Sequence, residues 1–175
     1  MPNIAPLDAE ETDLAVRLAS ENEEVRRFRS ARFRTLLVEP TTLDRKQAED
    51  ARQAVVGFYD YETGRSLLAV VDLNTQEVHA VQETPAQFQL SEEERREAEE
   101  LAGGDQRVRD FLQNREMNPL TRLFFPATAG KDDPPHRYAV VFLRPNENER
   151  RFAVVDLTDR QVTGLTGPEE FVTLQ

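Results

Sequence analysis

Histidine is the residue of this chain best suited to metal binding and proton transfer, because its imidazole changes charge near neutral pH. The sequence contains His79 and His136 and no cysteine. Zinc and copper sites need three or four ligands, so His79 would require Glu77 or Glu83 and a further ligand from elsewhere. His136 follows two prolines in a loop and has no ligand pattern around it. We therefore predict a surface strand position for His79, and no metal site, cofactor or thiol chemistry.

Carboxylates are concentrated in one predicted helix, at positions Glu92, Glu93, Glu94, Glu97, Glu99 and Glu100. General acid–base catalysis needs carboxylates in a pocket that drives their pKa values apart. These glutamates lie near a helix amino terminus among arginines, where a solvated acidic face complements the helix dipole. The pair Asp132–Asp133 lacks the spacing of a calcium loop. The sequence thus predicts no catalytic residues, and we expect that the chain is not an enzyme.

Arginines form the one local excess of positive charge, in the segment RRFRSARFR at 26–34. Arginine makes planar, bidentate contacts with carboxylates and phosphates, so four of these residues are candidates for binding an acidic partner. The four are Arg26, Arg29, Arg32 and Arg34. The alternative is internal: arginines near a helix carboxyl terminus complement its dipole, glutamates pair with them, and Phe28 and Phe33 enter the core. We favour the internal alternative.

Net charge limits the partners that the chain can bind. Asp and Glu number 33 against 22 Lys and Arg, which gives a formal charge of −11. A field of this sign repels nucleic acids and anionic membranes, so we expect neither as a partner. The longest apolar run, from Tyr138 to Leu143, is too short to cross a bilayer. The amino terminus has no signal-peptide pattern, so a cytoplasmic location is the default expectation.

The chain contains an internal repeat. LDAEETDLAVRLA begins at Leu7, and LSEEERREAEELA begins at Leu90, 83 positions later. The pentapeptide AVVDL occurs at 69–73 and again at 153–157. The motifs keep the same order, and their spacing changes by only a few residues, as insertions in loops would produce. We interpret the chain as a tandem duplication with units at 1–88 and 89–175.

Each copy has the same predicted elements. Asp8 and Ser91 are helix N-caps followed three residues later by Glu11 and Glu94, the spacing of a capping box. A second short helix follows, and Gly103–Gly104 is expected to end the first helix of the second copy. Four strands come next, at 32–39, 54–59, 67–73 and 77–82, and at 120–125, 138–143, 152–157 and 161–166. The predicted fold class is α+β, with helices packed on a four-stranded antiparallel sheet in each unit.

The predicted strands carry apolar residues on both faces. Helices on one face would cover Leu67, Ala69, Val71 and Leu73. The other face would then carry Leu68, Val70, Phe152 and Val154. One interpretation is that the other repeat or a partner chain covers this second face. The other is that β-branched residues simply favour strands, and both interpretations stay open at this point.

Several motifs of the two copies are shared with a known enzyme family. LSEEE, DQRVRDFL, FPATAG and AVVDLTDRQVTGL in the second copy resemble the third amino-terminal domain of copper amine oxidases. IAPLDAEE, RFRTLLVEP and GRSLLAVVDLNTQEVHAV in the first copy are similar to the second such domain. The resemblance extends from Ile4 to Leu165 and implies two tandem cystatin-like domains.

The same resemblance argues against catalysis. In copper amine oxidases a large carboxyl-terminal domain does the chemistry, with copper on three imidazoles and a quinone made from a tyrosine in an Asn-Tyr sequence. This chain has two histidines, and none of its tyrosines follows an asparagine. The resemblance therefore implies a non-catalytic binding or assembly module whose partner is a protein, either a second copy or an oxidase-type chain. The alternative is an accessory subunit or fragment of a copper-dependent primary amine oxidase.

One short motif points to a third function. Gln53–Gly57, with the sequence QAVVG, fits the Q-x-V-x-G pattern that cystatins insert into cysteine proteases. The chain has no tryptophan for the second cystatin loop, and the pentapeptide begins a predicted strand instead of capping a hairpin. Protease inhibition is therefore the weakest of the three functions considered.

Overall fold

The order of helices and strands repeats once along the chain. The structure is a computed structural model that describes residues 5–41, 52–113, 115–116, 118–126 and 136–173. It divides into two compact units, Met1–Phe88 and Gln89–Gln175. The first unit contains α1 (Ala9–Glu21), α2 (Glu23–Phe28), β1 (Phe33–Thr41), β2 (Gln53–Asp60), β3 (Arg65–Asp72) and β4 (Glu77–Thr84). The second contains α3 (Glu92–Gly104), α4 (Gln106–Leu112), β5 (Leu120–Phe124), β6 (Tyr138–Leu143), β7 (Arg151–Asp156), β8 (Gln161–Thr166) and α5 (Pro168–Thr173).

Each unit contains one four-stranded antiparallel sheet. The strand order is β1-β2-β3-β4 in the first sheet and β5-β6-β7-β8 in the second. Every strand therefore pairs with the strand next to it in the sequence, the commonest arrangement of consecutive strands. The long helix α1 packs on the first sheet, and α3 packs on the second. The predicted α+β class, with two helices followed by four strands in each copy, is confirmed.

The first helix of each unit begins at the predicted capping box. The Glu11 backbone N–H donates to Asp8 Oδ1 at 2.8 Å, and the Asp8 N–H donates to Glu11 Oε2 at 3.0 Å. Ser91 and Glu94 make the same reciprocal pair, at 3.1 and 2.9 Å. Each box satisfies two backbone donors that the start of a helix would otherwise leave without partners.

Several predicted boundaries differ from the structure by one or two residues, and two of these differences have a clear physical reason. Helix α3 continues through Gly103–Gly104 and ends at Asp105, whose side chain accepts a hydrogen bond from the Arg107 N–H and so caps α4. Because Asp105 both ends one helix and begins the next, the glycines are not needed to break the first. Strand β1 extends through Pro40, which its position at the edge of the sheet permits.

The inner face of each sheet forms a core with the first helix of its unit. Val56, Ala69 and Val71 pack with Ala15 and Ala19 of α1, and all five are fully buried. The matching residues of the second unit are fully buried as well: Val141, Ala153, Val155, Ala98 and Ala102. The predicted inward positions of Leu67, Ala69, Val71 and Leu73 are confirmed.

The repeat extends to irregular positions of the backbone. The strand register shifts immediately before Val71 in the first sheet and immediately before Val155 in the second. The turns that follow each place one residue in the left-handed region, Gln76 at φ 58° and Arg160 at φ 57°. Residues other than glycine adopt this conformation infrequently. Val71 and Val155 therefore occupy equivalent places, as the duplication predicts.

The outer face of the second sheet is covered by α5, which the sequence did not predict. Phe171 of this helix stacks on Phe152, with 4.4 Å between ring centroids, and contacts Phe124 at 5.2 Å. Phe171 and Val154 are both buried in the resulting cluster. The expectation that another repeat or a partner chain covers the outer face is therefore wrong for the second unit, because the unit's own last helix lies on that face.

The outer face of the first sheet carries a phenylalanine in a corresponding role. Phe88 follows β4 and is buried over Gly57, where an added Cβ would lie 2.9 Å from its ring and 2.8 Å from Leu37 Cβ. Only glycine leaves the backbone of β2 open enough for this approach. The second unit has Phe142 at the matching position of β6. In the second unit Phe171, which follows β8, contacts this Phe142 at 6.4 Å between ring centroids, so each unit covers its outer face with an aromatic ring that follows the last strand.

An arginine joins the first helix of each unit to the beginning of its second strand. Arg137 donates to both carboxylate oxygens of Glu94, at 2.5 and 3.0 Å, and both side chains are 0% exposed. Arg52 donates to Glu11 in the same way, at 2.7 and 2.6 Å, with 26% and 28% of the two side chains exposed. The prediction that Glu94 belongs to a solvated acidic face is therefore wrong, because the helix start places it against Arg137.

The Glu11–Arg52 pair predicts an acid dependence for the stability of the first unit. Hydrogen bonds from Arg52, and next from the Asp8 backbone, lower the pKa of Glu11 from 4.5 to about 2. A carboxylate whose pKa is depressed by folding stabilises the fold above its unfolded-state pKa, and this contribution disappears as pH falls through the folded-state value. We expect the difference in urea-unfolding midpoint between wild type and Glu11→Gln to be constant above about pH 5 and to shrink toward pH 2. A difference that stays unchanged down to pH 2 would contradict this assignment.

Candidate functional site

Two of the candidate partner-binding arginines stack on one aromatic ring. The Cζ atoms of Arg32 and Arg34 lie 4.8 and 5.5 Å from the centroid of Tyr61. The Tyr61 ring meets that of Tyr59 edge-on, at 4.9 Å between centroids. Both tyrosines are buried and both arginines are half-buried. We call these four residues the arginine–tyrosine cluster, in which cation–π contact orients both guanidinium groups.

Asp60 fixes the backbone that supports the arginine–tyrosine cluster. Its buried carboxylate accepts hydrogen bonds from the Ser30 N–H and hydroxyl, both at 3.0 Å. It also accepts from the N–H groups of Glu62 and Thr63, at 2.9 and 3.0 Å. A buried carboxylate with four donors is well satisfied, so Asp60 ties the segment before β1 to the turn after β2.

The other residues of the arginine segment divide between surface and core. Arg26 lies in the last turn of α2, where it complements the helix dipole, and both Arg26 and Arg29 are exposed. Phe28 contacts Phe33 at 6.1 Å, and Phe33 stacks on the core residue Phe58 at 5.0 Å. The predicted entry of the phenylalanines into the core is confirmed.

The four candidate outer-face residues differ in their surroundings. Leu68 and Val70 lie on the outer face of β3 in the first unit and are half-buried. Phe152 and Val154 lie at the matching positions of β7 in the second unit, beneath Phe171. The cover expected from another repeat or chain is thus provided by α5 for Phe152 and Val154.

His136 lies beside two carboxylates, so the prediction that it has no ligand-type neighbours is wrong. Its Nδ1 atom is 2.6 Å from Asp156 Oδ2 and 3.8 Å from Asp159 Oδ2. One ligand atom from each of the three residues fits within 4.8 Å of the others. The Asp156 side chain is 3% exposed, whereas His136 and Asp159 are 28% and 51% exposed. We call His136, Asp156 and Asp159 the His–Asp cluster.

The His–Asp cluster is built on the turn between β7 and β8. Asp156 Oδ1 accepts hydrogen bonds from the Thr158 and Asp159 N–H groups, at 2.8 and 3.0 Å. His136 reaches the turn because the backbone just before β6 pairs with it, through a hydrogen bond from the Leu157 N–H to the Arg137 carbonyl at 2.8 Å. The cluster therefore joins residues that are 20 positions apart in the sequence.

Three other sequence candidates have ordinary positions or lie outside the described residues. His79 is exposed on β4, which confirms its prediction as a surface strand histidine. Gln53–Gly57 forms the first part of β2, an inner strand that pairs with β1 and β3. This segment is therefore no hairpin tip that a protease groove could receive. Asp132–Asp133 lies outside the residues that the structure describes.

Comparisons with known proteins do not assign the chain to a family. The sequence matches no protein-family model, and it matches no curated protein. No helix within the described residues has both the length and the apolar character needed to cross a membrane.

Proposed function

We propose that the chain is a non-catalytic binding or assembly module whose partner is a protein with an acidic surface. The observation that carries this proposal is the arginine–tyrosine cluster together with the exposed Arg26 and Arg29. These residues concentrate positive charge in one segment of a chain whose formal charge is −11. An acidic partner is repelled by most of this protein and attracted by that segment, so the segment sets the orientation of the complex.

The arrangement of the arginines also favours recognition over chemistry. A guanidinium that is stacked on a ring loses less conformational freedom when it forms planar hydrogen bonds to a carboxylate. Arginine and tyrosine are enriched among residues that dominate binding energy in protein interfaces. Neither supplies an accessible nucleophile or acid–base pair in this arrangement, because Tyr59 and Tyr61 are buried.

The resemblance to the tandem amino-terminal domains of copper amine oxidases supports the same proposal. Those domains are non-catalytic, and their cystatin-like fold agrees with helices packed on a four-stranded antiparallel sheet in each unit. Under this proposal the partner is either a second copy of the chain or an oxidase-type chain. In the latter case the protein is an accessory subunit of a copper-dependent primary amine oxidase.

Charge reversal at the two exposed arginines tests the proposal. We expect the affinity of the double variant Arg26→Glu/Arg29→Glu for its partner to fall by about tenfold or more, because each charge-assisted contact contributes about 1.5–3 kcal/mol. The matched control is Arg144→Glu/Arg150→Glu, which changes the net charge equally at exposed arginines of the second unit. The measurements are quantitative co-purification from source cells and sedimentation equilibrium of each purified variant.

Two outcomes would overturn the proposal. The first is equal partner recovery, or equal self-association, with the test variant and the control. The second is release of hydrogen peroxide from primary amines by the purified chain, which would contradict the non-catalytic part.

A further inference from the structure

We propose that the His–Asp cluster of the second unit binds a divalent transition-metal ion, with Zn²⁺ as the ion of best fit. The cluster offers one imidazole nitrogen and two carboxylate oxygens, a ligand set that zinc sites use. Two carboxylates with a neutral imidazole carry two negative charges, which a divalent ion neutralises. The proposal is independent of the arginine segment and of the proposed partner.

The distances require only a small adjustment to receive the ion. Ligands at about 2.0–2.2 Å from a tetrahedral zinc stand roughly 3.3–3.6 Å apart. His136 Nδ1 is 2.6 Å from Asp156 Oδ2 and 3.8 Å from Asp159 Oδ2, values on either side of that range. Side-chain rotation of the partly exposed His136 and Asp159 closes these differences, while the buried Asp156 stays fixed by its turn. Because His136 and Asp159 are partly exposed, the proposed fourth ligand of a tetrahedral zinc is water.

The first unit shows that the turn itself does not need His136 or Asp159. Asp72 makes the same two hydrogen bonds in that unit, from the Asn74 and Thr75 N–H groups at 2.8 and 3.0 Å. Thr75 stands where the second unit has Asp159, and Ala51 precedes Arg52 as His136 precedes Arg137. The backbone link is also the same, from the Leu73 N–H to the Arg52 carbonyl at 2.8 Å. The second unit thus carries residues of metal-ligand type at two positions where the first unit has none, and the hydrogen bonds of the turn depend on neither of them.

A bound ion would act as a structural clip. His136 lies just before β6, Asp156 ends β7, and Asp159 lies in the turn that leads to β8. A metal that holds these three residues links the beginning of one strand to the turn between the next two. Because it binds the folded unit and not the unfolded chain, it raises the apparent stability of the second unit.

The test uses the full, untagged chain, freed of metal by chelation and titrated with ZnCl₂. We expect calorimetry to show one equivalent of Zn²⁺ and thermal melting to show an upward shift of the transition. His136→Ala and Asp159→Thr, which introduce the residues of the first unit, should each weaken binding by tenfold or more, since losing even an outer-shell partner costs about 10–100-fold. The Thr75 turn indicates that Asp159→Thr folds normally. His79→Ala is the matched control and should bind as the wild type does.

Absence of Zn²⁺ binding by the wild type overturns the proposal. Binding that both His136→Ala and Asp159→Thr retain, or that His79→Ala abolishes, places the ion elsewhere and overturns it as well. Loss of binding in the two test variants, with an unchanged melting transition in the absence of metal, supports it.

Discussion

Substitution of Glu94 by alanine is expected to lower the free energy of unfolding of the second unit by about 3–5 kcal/mol. The variant leaves the Arg137 guanidinium buried without its carboxylate, because both side chains are 0% exposed in the wild type. A remaining hydrogen bond to the Gln89 carbonyl, at 3.1 Å, does not neutralise the charge. Urea unfolding followed by circular dichroism measures the loss, and hydrogen exchange assigns it to Gln89–Gln175.

The first unit supplies the matched control for this prediction. Glu11→Ala removes the same contact to Arg52, but those side chains are 28% and 26% exposed, so water solvates the remaining arginine. We expect a clearly smaller loss for Glu11→Ala than for Glu94→Ala. The double variant Glu94→Leu/Arg137→Met should regain much of the lost stability, because removing both charges leaves none unpaired. Equal losses in Glu11→Ala and Glu94→Ala would contradict the role of burial.

Val71→Asp is expected to unfold the first unit or to destabilise it by at least about 4 kcal/mol. Val71 is 0% exposed and packs with Ala15, Ala19 and Val56 between α1 and the sheet. An aspartate there brings an unpaired charge into an apolar core, and total stabilities of small domains are about 5–15 kcal/mol. Loss of hydrogen-exchange protection in β2 and β3 is the direct measurement.

Ala80→Asp is the control, because Ala80 is exposed on β4 in the same sheet. It introduces the same charge, and we expect a change within about 0.5 kcal/mol. Protection of β2 and β3 that survives in Val71→Asp, or that is lost to the same extent in Ala80→Asp, would show that this position is not part of the core described above.

Local patterns were sufficient to predict the elements of each unit. Capping boxes at Asp8 and Ser91 are determined by residues three apart, and alternation along β3 depends on residues two apart. Because the chain is a duplication, the same elements are predicted in the same order in both copies. Helix α5 escaped prediction because its six residues are too few for a helical period and, unlike the equally short α2, it has no counterpart after the last strand of the other copy. Its one signal is Pro168 followed by Glu169 and Glu170, a proline and two acids in a first turn.

Aligned copies also contained one signal for the buried ion pair. A glutamate at the third helical position and an arginine two residues before an Ala-Val-Val segment recur in both copies, as Glu11 with Arg52 and Glu94 with Arg137. By composition alone, Glu94 is one glutamate in an acidic run and cannot be distinguished from its solvated neighbours. The contact itself joins residues 43 positions apart, and burial decides its energy.

The sequence by itself therefore determined the helix starts, the strand order within each copy and the inward faces of the strands, because these depend on neighbours in the chain. The tertiary structure alone decided which polar side chains meet. His136 comes to Asp156 only because β6 and β7 pair, and Phe171 reaches Phe152 only because α5 folds back on the sheet. Contacts of this kind depend on the sheet's pairing register and on the return of the chain after its last strand. Neither the register nor the return of the chain produces a periodic pattern among the residues that make the contact.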